Sequence, residues 1–524
     1  MTSAVQPPSA GTTAGVDDVV TALRRLEEPC YVVVRDGVTA VLNDEPGPGA
    51  RLVTAVGPLP PQRLGTGRFT TAHRTRYAYF AGAMAGGIAS VDLVARLAEA
   101  GCMGSFGAGG LPPHRVEEGI RQLAARLPNA PYAVNLLHSP AEPRLERGVV
   151  ELCLAHRVSC VEASAFLDLT ANIVRYRAAG LRRNTQGGIE VTHRVVAKVS
   201  RPEVAQKFLL PAPEEMLREL VSVGSLTAEQ AELARHVPMA DDITVEGDSG
   251  GHTDRRPLTA LFPVLARLRD HLCRRYPAAH RVRLGAAGGI GTPQAVAAAF
   301  TMGADYVVTG SVNQSCVEAA TSEEARQMLA AVGIADVDMA PSADMFELGA
   351  QVQVLKRGSM FPARARRLHQ LYQTYDRLEA LPAKDLAWAE GQVFRRPVEQ
   401  VWTEVVDYFG HHDPGQLDRA ERDPRHRMAL VFRWYLGQSS RWATTGDAER
   451  RTDYQIWCGP ALGSFNDWVK GTYLAAPANR TVADVAQHLL RGSALATRVQ
   501  QLAAAGVRFA AACTEYEPAP LPAG

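Results

Sequence analysis

Three glycine-bearing turns are the residues of this sequence best suited to chemistry: Ser249-Gly250-Gly251-His252, Ala287-Gly288-Gly289-Ile290 and Thr309-Gly310-Ser311. Glycine lets a backbone approach a phosphate closely and turn its N–H groups toward it, and a helix N-terminus after the turn adds positive potential. Taken alone, each is equally an ordinary tight connection without a ligand. Two of them follow consecutive apolar runs, Val282-Arg283-Leu284-Gly285-Ala286 and Tyr306-Val307-Val308, and that pairing favours a phosphate-bearing ligand. The other ends on an imidazole. His252 could exchange a proton with a substrate near neutral pH, hydrogen-bond a loop carbonyl, or help position a cofactor.

Further positions carry groups of use beside such a ligand. In Phe80-Ala81-Gly82-Ala83-Met84-Ala85-Gly86-Gly87 the small residues would let the chain lie flat against an aromatic ring system, with Met84 packed on it. A tight core turn is the plain alternative. Asn135 offers a donor and an acceptor to a ring edge, and Lys198 offers positive charge. Either also suits a satisfied polar residue at the rim of a barrel.

The elements that must position these groups alternate. Eight candidate strands run over Tyr77–Ala81, Cys102–Phe106, Tyr132–Leu136, Ser159–Ala163, Arg194–Val199, Asp242–Glu246, Val282–Ala286 and Asp305–Thr309, with helical patterns between most of them. Short apolar strands alternating with helices predict a parallel sheet covered by helices, and eight units match a closed (β/α)8 TIM barrel. In such a barrel functional groups sit at the C-terminal strand ends, and phosphate binds after strands seven and eight. The second and third glycine turns fall there.

The α/β barrel is expected over residues 73–343, with a helical insertion at 211–238 in which Thr227 and Gln230 suit a capping box. Residues 1–16 read as a disordered tail and 17–72 as a small β-containing module with a hairpin turn at Asp36-Gly37. A glycine- and proline-rich stretch at 47–67 leads from that module into the barrel, and residues 344–524 read as mainly helical.

Composition excludes other classes. The 56 Lys+Arg against 55 Asp+Glu give a net charge of +1 over 524 residues, so, a local patch aside, there is no electrostatic footprint for nucleic acid or an anionic membrane. No apolar run approaches the roughly 20 residues of a membrane helix, and the first residues lack the pattern of a signal peptide. Eight scattered cysteines without a CxxC pair favour buried reduced thiols in a cytoplasmic protein over disulfides or a zinc site; no metal is expected.

The Gly82–Ile88 segment and the three glycine turns resemble those of the nitronate monooxygenase-like flavoproteins, which include FMN-dependent enoyl reductases of bacterial fatty acid synthesis. Asp344-Met345-Phe346-Glu347, Val352–Gly358, Met360-Phe361-Pro362, Met428–Leu436 and Asp453–Pro460 narrow the likeness. They resemble the trans-acting enoyl reductases of polyketide and polyunsaturated fatty acid synthases. The resemblance spans nearly the whole chain beyond the first thirty residues.

That resemblance implies FMN held by Gly82, Ala83, Met84, Asn135, Lys198, Ser249, Gly250, Gly251, Gly288, Gly289, Gly310 and Ser311. It implies NADPH or NADH as reductant and, as substrate, an α,β-unsaturated thioester on an acyl carrier protein. His252 becomes the candidate proton donor or carbonyl polariser. A flavin oxidase on the same barrel and a non-catalytic assembly module are the competing readings; association of identical copies is left open.

Lys356, Arg357, Arg364, Arg366 and Arg367 form a local basic run that would suit an acidic carrier protein. It equally suits a solvated helix face or arginine–carboxylate pairs. Trp434, Tyr435, Trp442, Trp457 and Trp468 are expected in the core of the helical region rather than in an acyl pocket.

Overall fold

The computed structural model describes residues 16–140 and 143–521. The tail expected over residues 1–16 lies outside them, except that Val16 opens the helix Val16–Arg24. A three-stranded antiparallel sheet follows, β1 (Cys30–Arg35) pairing with β2 (Val38–Leu42) on one side and β3 (Arg51–Val56) on the other. Asp36 and Gly37, at φ of 51° and 76°, make the tight turn between β1 and β2. Strand β3 lies within the stretch that glycine and proline had marked as a linker.

All eight expected barrel strands form, displaced by at most two residues. They begin with β4 (Tyr79–Ala81), β5 (Met103–Phe106), β6 (Ala133–Leu137) and β7 (Cys160–Ser164). A small hairpin of β8 (Leu181–Arg183) and β9 (Ile189–Val191) precedes β10 (Arg194–Val199) and β11 (Asp242–Glu246). After the two-residue β12 (Gly251–His252) come β13 (Arg283–Ala287) and β14 (Tyr306–Thr309). Parallel pairing runs β4-β5-β6-β7-β10-β11-β13-β14, and β14 closes on β4 through Val308 and Phe80.

Every second side chain points inward, so Phe80, Met103, Ala133, Cys160, Val196, Tyr306 and Val308 fill the barrel interior. Phe69, from the helix Gly67–His73, plugs the N-terminal end and stacks on Tyr306 with ring centroids 4.3 Å apart. Asp242 at the start of β11 is buried there between His73 (2.8 Å) and Arg283 (2.6 Å). The insertion consists of helices Glu214–Ser222 and Ala228–Ala234, the second opened by the Thr227/Gln230 capping box.

The region after the barrel is not purely helical. Strands β15 (Val337–Pro341) and β16 (Gln351–Leu355) pair with each other, and β16 pairs with β12. Helices from Phe361–Thr374 to Pro424–Thr445 gather around Phe346, Phe361, Leu368, Val401 and Phe432, a second core apart from the barrel's. The chain then returns. Helix Val482–Ala504 packs on the barrel helix Pro293–Thr301 so closely that a Cβ on Gly492 would lie 2.6 Å from Pro293. Its buried Arg498 donates to the carbonyls of Leu23, Arg25, Leu26 and Glu28, tying the N-terminal segment down.

No helix among the described residues is long and apolar enough to cross a membrane. None of the eight cysteines is disulfide-bonded, and seven are buried.

Candidate active site

All thirteen residues singled out in the sequence line one cavity at the C-terminal end of the barrel. It holds about 1060 Å³ of space between protein atoms, part of it open to solvent. Gly288 and Gly289 leave β13 with φ of 87° and 71°, the left-handed region where side chains are strained. A Cβ on Gly288 would lie 2.6 Å from the carbonyl carbon of Gly247, so this glycine lets two turns touch. At Gly289 and at Gly310, after β14, a Cβ would meet nothing within 4 Å. Bare backbone therefore borders unfilled space, as a phosphate cradle requires.

The turn after β11 is fixed from outside the barrel. Gln353 of β16 donates through Nε2 to Asp248 Oδ1 (2.9 Å) and to the Ser249 carbonyl (2.8 Å). Gly250 and Gly459 lie back to back: a Cβ on Gly459 would fall 2.7 Å from the Gly250 nitrogen. The Gly459 N–H donates to Ser311 Oγ at 3.0 Å, which joins this wall to the turn after β14.

The floor carries charge. Lys198, near the end of β10, lies 3.2 Å from Glu246 Oε1, which also accepts from Ser249 Oγ. Burial disfavours the lysine's charge, but Glu246 and Glu162 outweigh it and hold the ammonium above its ordinary range. Glu162 on β7 is fully buried; its Oε2 accepts from the Ala83 N–H at 2.7 Å, while Oε1 has no hydrogen-bond partner. Burial pushes this carboxyl up, and Lys198 and the Ala83 N–H offset only part of that.

A Cβ on Gly82 would sit 3.1 Å from Val308 and 3.3 Å from Glu162 Oε1, so the first turn must be small here. Met84 lies in that turn, half-buried at the cavity edge. Asn135 spends its amide hydrogens inside the barrel, on the Glu162 carbonyl (3.2 Å) and Ser164 Oγ (2.7 Å).

His252 is positioned by backbone pairing. β12 docks antiparallel on β16, with His252 opposite Val352, and this carries the ring to the segment just after β15. There Nε2 lies 3.0 Å from Ser342 Oγ and 3.1 Å from Asp344 Oδ1. Trp457 meets the imidazole edge-on, with centroids 5.5 Å apart. Burial pushes the Asp344 carboxyl up, but the hydrogen bond and charge of His252, with the Ser342 hydroxyl, prevail and hold it at about 2. A carboxylate at Nε2 fixes an N–H there and with it the orientation of the ring.

Several of these groups escaped sequence reasoning. Glu162, Glu246, Ser342, Gln353 and the role of Asp344 were not picked out, and Trp457, which packs against the second core as expected, also lines the cavity. A carboxylate within the otherwise uncharged Cys160–Ser164 strand was a usable signal for Glu162. The basic run is largely occupied. Arg357 pairs with Asp336 (3.3 Å), Arg366 with Asp338 (2.8 Å), Arg367 with Asp385 (2.7 Å) and Arg364 with Asp453. Arg364 with Asp453 is a largely buried arginine–carboxylate pair, while Arg357, Arg366 and Arg367 are paired and still partly solvated, so both of those readings hold in part.

Comparison with known proteins places this geometry. Residues 68–360 match the family model described as nitronate monooxygenase. Residues 375–454 match the inserted helical domain of [acyl-carrier-protein] S-malonyltransferase. A component of the polyunsaturated fatty acid synthase of Thraustochytrium sp. is 46% identical over 509 residues, 95% of this chain and 34% of that protein. Polyketide biosynthesis protein PksE of Bacillus subtilis is 46% identical over 435 residues, 83% of this chain and 56% of that protein. The chain thus spans between about a third and just over half of these curated relatives. The crystal structure of the enoyl reductase domain of MlnA, from the macrolactin cluster of Bacillus amyloliquefaciens, superposes with a TM-score of 0.80 at 38% identity. It covers 84% of this chain and 99% of that one. The chain belongs to the nitronate monooxygenase family, in the branch that holds this enoyl reductase domain and the polyketide and polyunsaturated fatty acid synthase proteins.

Proposed function

We propose that the protein is an enoyl-thioester reductase that holds FMN in the barrel cavity, uses NAD(P)H, and acts in trans on acyl chains borne by a carrier protein. One observation carries the reading furthest: a cradle of bare glycine backbone and a histidine–carboxylate pair open onto the same cavity. The relatives support the substrate class, since they are synthase components and an enoyl reductase domain.

The residues present fit FMN. Gly289, Gly310 and Ser311 would receive its phosphate on backbone N–H groups beside the space noted above, and Gly82, Ala83 and Met84 would border its rings. Lys198 would place positive charge beside them, kept charged by Glu246 and Glu162. When bound, FMN would supply the hydride chemistry between NAD(P)H and the β-carbon of an α,β-unsaturated thioester. His252 would supply the proton for the α-carbon, with Asp344 and Ser342 orienting the ring through Nε2. Trp457 and Gly459 line the cavity on that side.

The visible spectrum of the purified protein is the first test, followed by anaerobic reduction with NADPH and addition of a crotonyl thioester. A flavin spectrum that bleaches and then recovers without oxygen is expected. Reoxidation by oxygen alone would replace the reductase with a flavin oxidase, which the family match over residues 68–360 also accommodates. A colourless protein that takes up no FMN would leave only an assembly role.

A further inference from the structure

A second cavity adjoins the first and shares Lys198, Glu246, His252 and Ala165 with it. It holds about 790 Å³ of space, again open on one side. One wall is apolar, from Phe166, Val199, Val204 and Met345, and the rim is polar. Arg201 belongs to that rim. Asp254 grips its guanidinium with two contacts, 2.8 and 2.9 Å, and also accepts from Ser200 Oγ at 2.6 Å. The loops after β10 and β11 are thereby pinned together at the mouth of the cavity.

Arg255 and Arg256 follow on the same loop. Both are exposed, and neither makes an ion pair among the described residues. Arg255 adopts φ of 53°, a left-handed conformation unusual for a residue with a side chain, held by its N–H to Thr253 Oγ1 at 3.0 Å. It lies three positions after His252, so the two Cα atoms lie within about 11 Å. Of these residues Arg201 and Asp254 line the cavity, while Arg256 acts electrostatically on Asp254 and Glu203 on Arg201; with Arg255, three guanidiniums stand against two carboxylates along these loops, a cationic surplus in a chain whose net charge is only +1. An apolar wall leading to the imidazole and a surplus of guanidinium at the opening suit a ligand with an uncharged reactive end and an anionic tail.

We propose that the second cavity admits the ligands that react at His252, and that Arg201, Arg255 and Arg256 bind a phosphate group those ligands carry. This rests on the reductase reading above. The phosphate has two sources in that reaction: the phosphodiester at the root of a carrier protein's pantetheine arm, and the phosphates of NAD(P)H.

The experiment uses the flavin-loaded full chain, wild type and R255A/R256A, with R255K/R256K as the charge-keeping control. Steady-state rates are measured with crotonyl pantetheine, which lacks phosphate, with crotonyl phosphopantetheine, and with NADPH varied. If the pantetheine phosphate binds here, wild type shows a KM about tenfold lower for the phosphorylated thioester, a difference worth ~1.4 kcal/mol. R255A/R256A erases that preference while leaving kcat with crotonyl pantetheine unchanged, and the lysine variant keeps most of it.

A rise of KM for NADPH alone, with both thioesters unaffected, assigns the rim to the dinucleotide. Unchanged KM values for every ligand overturn the proposal. If wild type reduces no enoyl thioester at all, the reductase reading fails separately. The rate of anaerobic flavin reduction at varied NADPH then still decides whether the rim binds phosphate.

Discussion

Replacing Asp344 with asparagine keeps the shape of the side chain and removes its charge. In the folded protein burial pushes this carboxyl up, yet the contact with His252 and Ser342 brings it from 3.8 down to about 2. A displacement of that size corresponds to ~2 to 3 kcal/mol of preference for the charged form in the folded state. The sign follows from the depression: the contribution is complete above the unfolded value and is lost as pH falls through the folded one. Asp344→Asn should therefore unfold more readily than wild type by ~2 kcal/mol at pH 7, and the gap should close between about pH 4 and pH 2. Urea denaturation followed by tryptophan fluorescence at several pH values reads the gap directly. In the same variant a less firmly oriented imidazole should lower kcat by roughly 10- to 100-fold with flavin content unchanged. A constant stability gap down to pH 2, or full activity at pH 7, would refute the pairing as the support of His252.

His252→Ala should keep the flavin and its reduction by NADPH but slow reoxidation by an enoyl thioester by about 10²- to 10⁴-fold; stopped-flow rates equal to wild type would remove His252 from proton transfer. Gly289→Val places a branched side chain at a φ of 71° and into the open cradle, so the protein should be isolated without flavin; a normal flavin content would show that phosphate binds elsewhere. Arg498→Ala strips the hydrogen-bond donor from four carbonyls of the N-terminal segment and should cost at least ~3 kcal/mol, detected as faster proteolysis near residues 23–28. Unaltered resistance there would mean that other contacts hold the segment.

The barrel was legible because each parallel strand is buried on both faces, which writes it into the chain as a short apolar run between helices. The cradle was legible for a related reason: backbone that must approach an anion needs glycine at that very position. Neither β3 nor β16 announced itself so well. Glycine and proline flank Arg51–Val56 on both sides, and Gln351–Leu355 stands alone in a stretch dominated by helical patterns. The second omission matters more, because β16 is the strand on which His252 is laid.

Pairings between distant segments leave no spacing to read. Asp344 follows its histidine by 92 positions, and Trp457 comes more than a hundred positions later still. The same limit applies to the basic run: Arg357, Arg364, Arg366 and Arg367 look alike in sequence whether solvated or paired. Their partners Asp336, Asp338, Asp385 and Asp453 come from other elements. A phosphate cradle is a property of local backbone, so one turn of sequence suffices to suspect it. The protonation state and aim of a histidine depend on what the fold brings against its far nitrogen. Here that neighbour arrives from beyond the barrel, through the pairing of β12 with β16, and any change that loosens this sheet should disturb the imidazole before it disturbs the cradle.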